Sequence, residues 1–270
     1  MMSNNKAGVA SERRSHNAFL GVSAFLFAAS AVATIVWCKS MSAMGEMPMP
    51  GGWTMSTAWM RMPGQPWPVF AASFLGMWVV MMVAMMLPSL ITTLWSYREA
   101  VRRAGETHLG RLTALVGLGY FFVWTVFGIT VFLLGSTLAT IAMQQPALAR
   151  AVPIAVGSAV VMAGAFQFTS WKAYYLDCCR NAPAPGFISL DAGTAWQQGV
   201  RLGLHCSCCS VGLTTILLVI GVMNLPVMAA VMAAITVERL TPASQRVAQI
   251  IGGVIVGVGL FLIAQAAGLG

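Results

Sequence analysis

Seven stretches of this chain are apolar enough and long enough to be read as membrane spans, and in lipid only a helix or a closed barrel can satisfy the backbone of such a segment. They fall at about 19–37, 69–95, 112–134, 151–171, 202–221, 225–237 and 247–268. The sixth is the shortest; it follows Asn224 and Pro226, and Gly221 is an alternative start. Charged residues make up 8% of the chain, against about a quarter in a soluble domain, so a soluble fold is excluded. The fold class expected is all-α: a polytopic transmembrane helix bundle of about seven spans.

Orientation follows from the placement of Lys and Arg. With the N-terminus in the cytoplasm, Lys6, Arg13, Arg14, Arg98, Arg102, Arg103, Arg111, Lys172, Arg180, Arg201, Arg239 and Arg246 fall inside. Lys39, Arg61 and Arg150 fall outside. The net charge of +8 is thus largely topology and contact with anionic lipid; the scatter of the basic residues excludes nucleic acid as a partner. The organisation expected is a cytoplasmic tail over 1–18, an anchor helix over 19–37, a methionine-rich outer loop over 38–68 and a helical membrane domain over 69–268. The first apolar stretch is longer than a signal peptide's and has no small-residue cleavage site before Trp37-Cys38-Lys39. It is expected to be retained. The compartment expected is the bacterial inner (cytoplasmic) membrane, crossed several times.

Methionine is the composition anomaly. Seven lie between residues 41 and 62: Met41, Met44, Met47, Met49, Met55, Met60 and Met62. Pro48, Pro50, Gly51, Gly52, Pro63, Gly64, Pro66 and Pro68 punctuate the same stretch and make regular structure improbable over much of it. A thioether is a soft ligand that favours Cu(I). It is also neutral, so binding needs no deprotonation. The run Met41, Met44, Met47, Met49 could converge on one ion, with Glu46 adding an oxygen and a tryptophan face contacting the cation. The alternative is an apolar loop dipping into lipid. In the second span Met77, Met81 and Met85 share one helical stripe, and Trp78, Met82 and Met86 form the next. Met77 to Met86 covers roughly 13–14 Å of bilayer, and Pro88 frees the carbonyl of residue 84. Close packing between helices is the alternative reading of these stripes.

Cysteine gives the sharpest signal. Cys178 and Cys179 follow the fourth span; His205, Cys206, Cys208 and Cys209 open the fifth. Both groups flank one inner loop and so share one membrane face, where thiols stay reduced. Two or three sulfurs of the Cys-x-Cys-Cys run, joined by Cys178 or Cys179, would make a thiolate site for Cu(I), with Zn(II) as the alternative metal. Asp177 is hard and is expected to support the ligands or face solvent. Cysteines acting as small hydrophobes, or as a redox pair, are the competing readings. Cys38 stands alone near the outer face.

Intramembrane polar residues are few: Gln167, Thr169 and Ser170 near Lys172, and Glu238 with Arg239. Ionisable residues at this depth are functional candidates, with interface anchoring as the alternative. There is no Walker A loop, no Gly-x-Ser-x-Gly elbow and no His-Glu-x-x-His. No catalytic residues are expected.

The motif Trp78-x-x-Met81-Met82-x-Ala84-Met85-Met86-x-Pro88 resembles that of a bacterial family of predicted metal-binding integral membrane proteins. The resemblance covers about 69–246. It extends through Gly119-Tyr120-Phe-Phe-Val-Trp124, through Ala163-Gly164-Ala-Phe-Gln167-Phe-Thr169 with Lys172, Cys179 and Arg180, and through Gly203-Leu-His205-Cys206-Ser-Cys208-Cys209 with Gly221, Met223, Asn224 and Glu238. It implies a metal site without naming a reaction. The chain departs from the family at Tyr175, where a cysteine is usual, and at Ser207 and Ser210, which flank the cysteine pair in place of glycine and tryptophan.

The residues therefore point first to a membrane protein that binds or transfers a soft metal, Cu(I) before Zn(II), taking it from the outer loop toward the inner cysteines. Two readings of other classes stand beside it: an accessory or assembly subunit of a larger membrane copper or redox complex, and a thiol redox protein of the cytoplasmic face. The partners expected are lipid, such a complex, or a copper chaperone.

Overall fold

A computed structural model describes residues 2–43, 45, 47–50, 52–61, 64–104, 108–180 and 191–268. Eight helices account for most of them: α1 (Met2–Ala43), α2 (Trp67–Arg103), α3 (Leu109–Gln144), α4 (Pro146–Phe166), α5 (Ser170–Arg180), α6 (Ala192–Ile220), α7 (Leu225–Leu240) and α8 (Ser244–Ala266). Six are long and apolar enough to cross a membrane: α1 over Ser15–Met41, then α2, α3, α4, α6 and α8. The chain is a multi-pass membrane protein with an all-α fold. The sixth expected stretch, 225–237, is α7, which at 16 residues reaches about 24 Å. It packs among α2, α6 and α8.

Proline and glycine set the helix ends. Pro66 precedes α2 and Pro146 begins α4, positions where the missing N–H costs nothing. Gly221, at φ 142°, ends α6, and the Asn224 side chain accepts from the Val227 N–H at 3.1 Å to start α7. At the other end of α6, Asp191 accepts from the Gly193 N–H at 2.9 Å. The turn between α4 and α5 (Gln167, Phe168, Thr169) breaks the stretch expected to run unbroken over 151–171.

The loop between α1 and α2 is more ordered than its composition suggests. It carries an antiparallel hairpin, β1 (Met47–Met49) on β2 (Trp53–Met55), pairing Met47 with Met55 and Met49 with Trp53. Gly52, at φ 78°, makes the turn. The hairpin is pinned where Trp53 Nε1 donates to the Ala149 carbonyl at 2.8 Å. Met49 and Met55 pack on Ala139, Ala142 and Ala149 of α3 and α4. Met44, Glu46 and Met62, and the inner stretch Asn181 to Gly186, lie outside the described residues.

Glycine lets the helices approach backbone to backbone, the usual way helices associate where lipid removes the hydrophobic drive. On α6 against α3, a Cβ at Gly199 would strike the Val116 carbonyl, one at Gly119 would lie 2.6 Å from the Trp196 carbonyl, and one at Gly203 2.9 Å from that of Tyr120. On α4 against α8, Gly157 and Gly164 face Gly259 and Gly252 in the same manner. Gly128 on α3 admits the Trp78 indole, whose Nε1 donates to the Trp124 carbonyl at 2.9 Å. The motif tryptophan is therefore an α2–α3 clamp, fully buried.

A buried ion pair ties α5 to α7. Lys172 Nζ donates to Glu238 Oε2 at 2.7 Å and to the Cys209 carbonyl at 2.6 Å; Gln167 Nε2 donates to Glu238 Oε1 at 3.1 Å. Both charged side chains are 2% exposed. Removing one partner strands the other charge, at about 3–5 kcal/mol. Glu238→Gln should therefore lower the unfolding midpoint of the detergent-solubilised protein sharply, and Lys172→Met with Glu238→Leu together should recover most of the loss. Gly199→Ala should destabilise by roughly 1–3 kcal/mol through overpacking. Gly253→Ala, with nothing within 4 Å of the added carbon, should not destabilise. Thermal unfolding of the four variants checks both statements.

Candidate metal centre

Three of the five downstream cysteines turn into the bundle. Cys206 and Cys209 are three residues apart on α6 and share its buried face; Cys179, near the end of α5, is buried against them. Cys179 Sγ lies 3.7 Å from Cys209 Sγ. Cys209 Sγ also donates to the Cys206 carbonyl at 3.2 Å, and Cys206 Sγ meets the Tyr120 hydroxyl of α3 at 2.9 Å. All six cysteines are free thiols.

The remaining candidates sit off this pair. Cys178 and Cys208 are half-buried, and Cys178 lies beside the exposed Tyr174 hydroxyl. His205 is half-buried, its ring 5.8 Å from that of Tyr175. A helix turns about 100° per residue, so Cys206 and Cys209 share a face from which Cys208 is turned away, while His205, one turn before Cys209, sits half-buried at the edge of that face. Among the described residues no set of three or more His, Cys, Asp or Glu side chains surrounds one point. What the fold assembles is a two-thiol site with a third thiol at its edge.

The site also lies further along its helix than the sequence suggests. Helix α6 starts at Ala192, ten residues before the apolar stretch expected from 202. Cys209 is therefore about 25 Å of helix from the start of α6 and about 16 Å from its end at Ile220. Hydrogen bonding to Cys209 and burial push the Cys179 thiol well above its ordinary pKa, so a metal must displace its proton to gain the thiolate.

Electrostatics mark the same place. Lys172, Glu238 and Arg239 are the buried charged side chains among the described residues. Lys172 and Glu238 cancel, which leaves Arg239. Its Nη1 donates to Ser89 Oγ of α2 at 3.0 Å, its Nη2 contacts Cys209 Sγ at 3.9 Å, and its Nε has no hydrogen-bond partner. A buried guanidinium without a carboxylate needs an anion nearby, and the thiols are the groups that can supply it. Arg239 and Lys172, counted as inner-face surface charges in the topology argument, are thus interior groups. Tyr120 and Ser89 join the site with no signal in ligand spacing; Tyr120 stood only within the resemblance motif.

The methionines divide. Met81, Met82, Met85 and Met86 are buried in the main core beside Trp78, Leu87, Leu90 and Tyr97. Met77 lies in the same core and lines a cavity near the hairpin with Met41 and Met60. Met47 is exposed and Met49 is packed under the hairpin, so the two ends of the Met47-Pro48-Met49 run have different surroundings. Cys38 is buried, its Sγ 3.7 Å from Met223 Sδ.

No curated protein and no solved structure matches the chain. Residues 75–262 match the family PpoB2, described as a copper chaperone. That segment contains the α2 methionines from Met77 onward, Tyr120, Lys172, the paired thiols and the Glu238–Arg239 step. The chain belongs to the PpoB2 copper chaperone family.

Proposed function

We propose that the protein binds Cu(I) between Cys179 and Cys209 and transfers it to a copper-dependent protein in or at the bacterial cytoplasmic membrane. The observation that carries this reading is the 3.7 Å separation of the two sulfurs beside an otherwise uncompensated Arg239. Two thiolates around Cu(I) carry one net negative charge, which Arg239 balances. Two thiolates around Zn(II) are neutral and leave the guanidinium unpaired. Structural zinc also takes four ligands, whereas Cu(I) is satisfied by two soft ones. Cys206 stands at the edge as the sulfur that can join when the ion moves.

Movement is what distinguishes a chaperone from a store. The buried α2 methionines supply a soft wall leading to Ser89, whose hydroxyl accepts from Arg239. Neutral thioethers hold Cu(I) more weakly than thiolates, so the donor order favours passage toward the thiols. With the N-terminus inside, that passage runs inward, and the ion reaches the compartment where thiols stay reduced.

Cys179→Ser and Cys209→Ser should each weaken Cu(I) binding by a hundredfold or more in competition with a colorimetric Cu(I) chelator. Cys178→Ser and Cys208→Ser should stay near wild type. Equal losses at all four positions would reject the pair as the site. Arg239→Gln should cost about 10–100-fold in Cu(I) affinity, as expected for a group that supports ligands without binding metal, and should narrow the preference for Cu(I) over Zn(II). The same sulfur pair favours one second reading, a redox disulfide, which would draw the sulfurs from 3.7 Å to about 2.05 Å. Alkylation and mass spectrometry under mild oxidant, with no metal bound, would reveal it.

A further inference from the structure

Within the methionine run of the outer loop Met44 lies outside the described residues and Met47 and Met49 have different surroundings, but three methionines from three separate segments line one cavity. Met41 comes from the end of α1, Met60 from the segment after the hairpin and Met77 from the third turn of α2. The cavity holds about 180 Å³, far more than the water-sized voids of a packed core. Trp37, one helical turn before Met41, also lines it. Its indole lies against Gly76, where an added Cβ would sit 3.9 Å from the ring.

We propose that this cavity is a second, thioether-only Cu(I) site, which receives the ion at the hairpin face before it reaches the thiols. The chemistry of the lining carries the assignment. Among the described residues no charged side chain lines it, and the oxygen-bearing side chains are Gln65 and Ser73. Hard divalent cations need six or more oxygens, carboxylates among them, and find nothing here. A soft monovalent ion finds three neutral sulfurs and an aromatic face that attracts a cation without adding charge. Thioethers bind without releasing protons, so the site works across the range of external pH. Met77 belongs at once to this cavity and to the α2 stripe. Twelve residues further along α2, about 18 Å, lies Ser89, the partner of Arg239 at the thiol pair. One helix therefore spans both sites.

This inference shares with the proposed function the identity of the ion, not the residues, so the two fail separately. The experiment uses the full chain in lipid nanodiscs with Cys179, Cys206 and Cys209 all changed to Ser, and Cu(I) from a buffered chelator as the probe. One equivalent of Cu(I) should remain bound, with X-ray absorption showing thioether sulfur. Cu(I) should quench tryptophan fluorescence, and Trp37→Phe should remove at least half of the quench. Met41→Leu, Met60→Leu and Met77→Leu together keep the packed volume and should weaken the remaining binding tenfold or more. Met60→Leu alone, in the half-buried segment outside the helices, should weaken it several-fold and guards against misfolding of the triple variant. Absence of Cu(I) binding in the triple-serine protein, or unchanged binding in the leucine variants, overturns the inference. Binding in the wild type that the cysteine changes do not diminish counts against the thiol site and leaves this one standing.

Discussion

A positive charge held inside the membrane domain is the constraint around which the rest is arranged. Arg239 is buried, and the neighbouring Lys172 and Glu238 already neutralise each other. An unpaired guanidinium in such surroundings costs far more than a hydrophobic substitute would. A chain that retains it must place an acceptor of negative charge within reach. Cys209 is the group within reach that carries such a charge once its thiol loses a proton, and Cys179 and Cys206 lie beside it. The ion pair then has a second duty besides its own stability: Lys172 also donates to the Cys209 carbonyl, which fixes the stretch of α6 that carries the thiols. Charge balance and thiol placement are one construction seen from two sides.

That construction depends on helices that come unusually close. Glycine at 119, 199 and 203 removes the side chains that would hold α3 from α6, and only at that separation can the Tyr120 hydroxyl reach Cys206 at 2.9 Å. The glycine pairs of α4 and α8 do the same on the far side and hold the turn at Gln167, whose side chain reaches Glu238. In lipid, close van der Waals contact and interhelical hydrogen bonds replace the hydrophobic drive of soluble cores. Small residues outside the site are therefore as much a part of its geometry as the sulfurs.

Much of the architecture was legible because lipid leaves few options. Six of the seven expected spans correspond to helices long enough to cross, though α3 and α6 each run ten residues past an expected end, α6 from the polar cap Asp191. The site was legible in part. Spacing alone put Cys178 and Cys179 opposite Cys206, Cys208 and Cys209, and the fold joins Cys179 to Cys209. Which member of each vicinal pair turns inward depends on how the helix is rotated against its neighbours, and for α6 the contacts of Gly199 and Gly203 with α3 fix that rotation. The basic residues misled for a related reason. A count of Lys and Arg treats every one as a surface charge, yet Lys172 and Arg239 point into the bundle and balance groups there.

Methionine shows why composition names an element's chemistry before its geometry. The same residue fills irregular gaps in a core and offers a soft donor, and one helix of this chain sets it in both kinds of surroundings. Met82 and Met86 are fully buried beside Trp78, where the gap-filling role suffices. Met77, at the start of the neighbouring stripe, opens onto a cavity shared with Met41 and Met60. A buried thioether ladder therefore need not be a ligand set along its whole length to be useful. It needs a soft donor exposed at one end and a tighter thiolate pair near the other, with no hard or charged group between them to trap the ion. Along α2, Ser89 is the first polar side chain met after Met77, and it is already committed to Arg239. The helix thus has the order of donors that a one-way transfer of a soft cation requires, and packing is the property that holds that order in place.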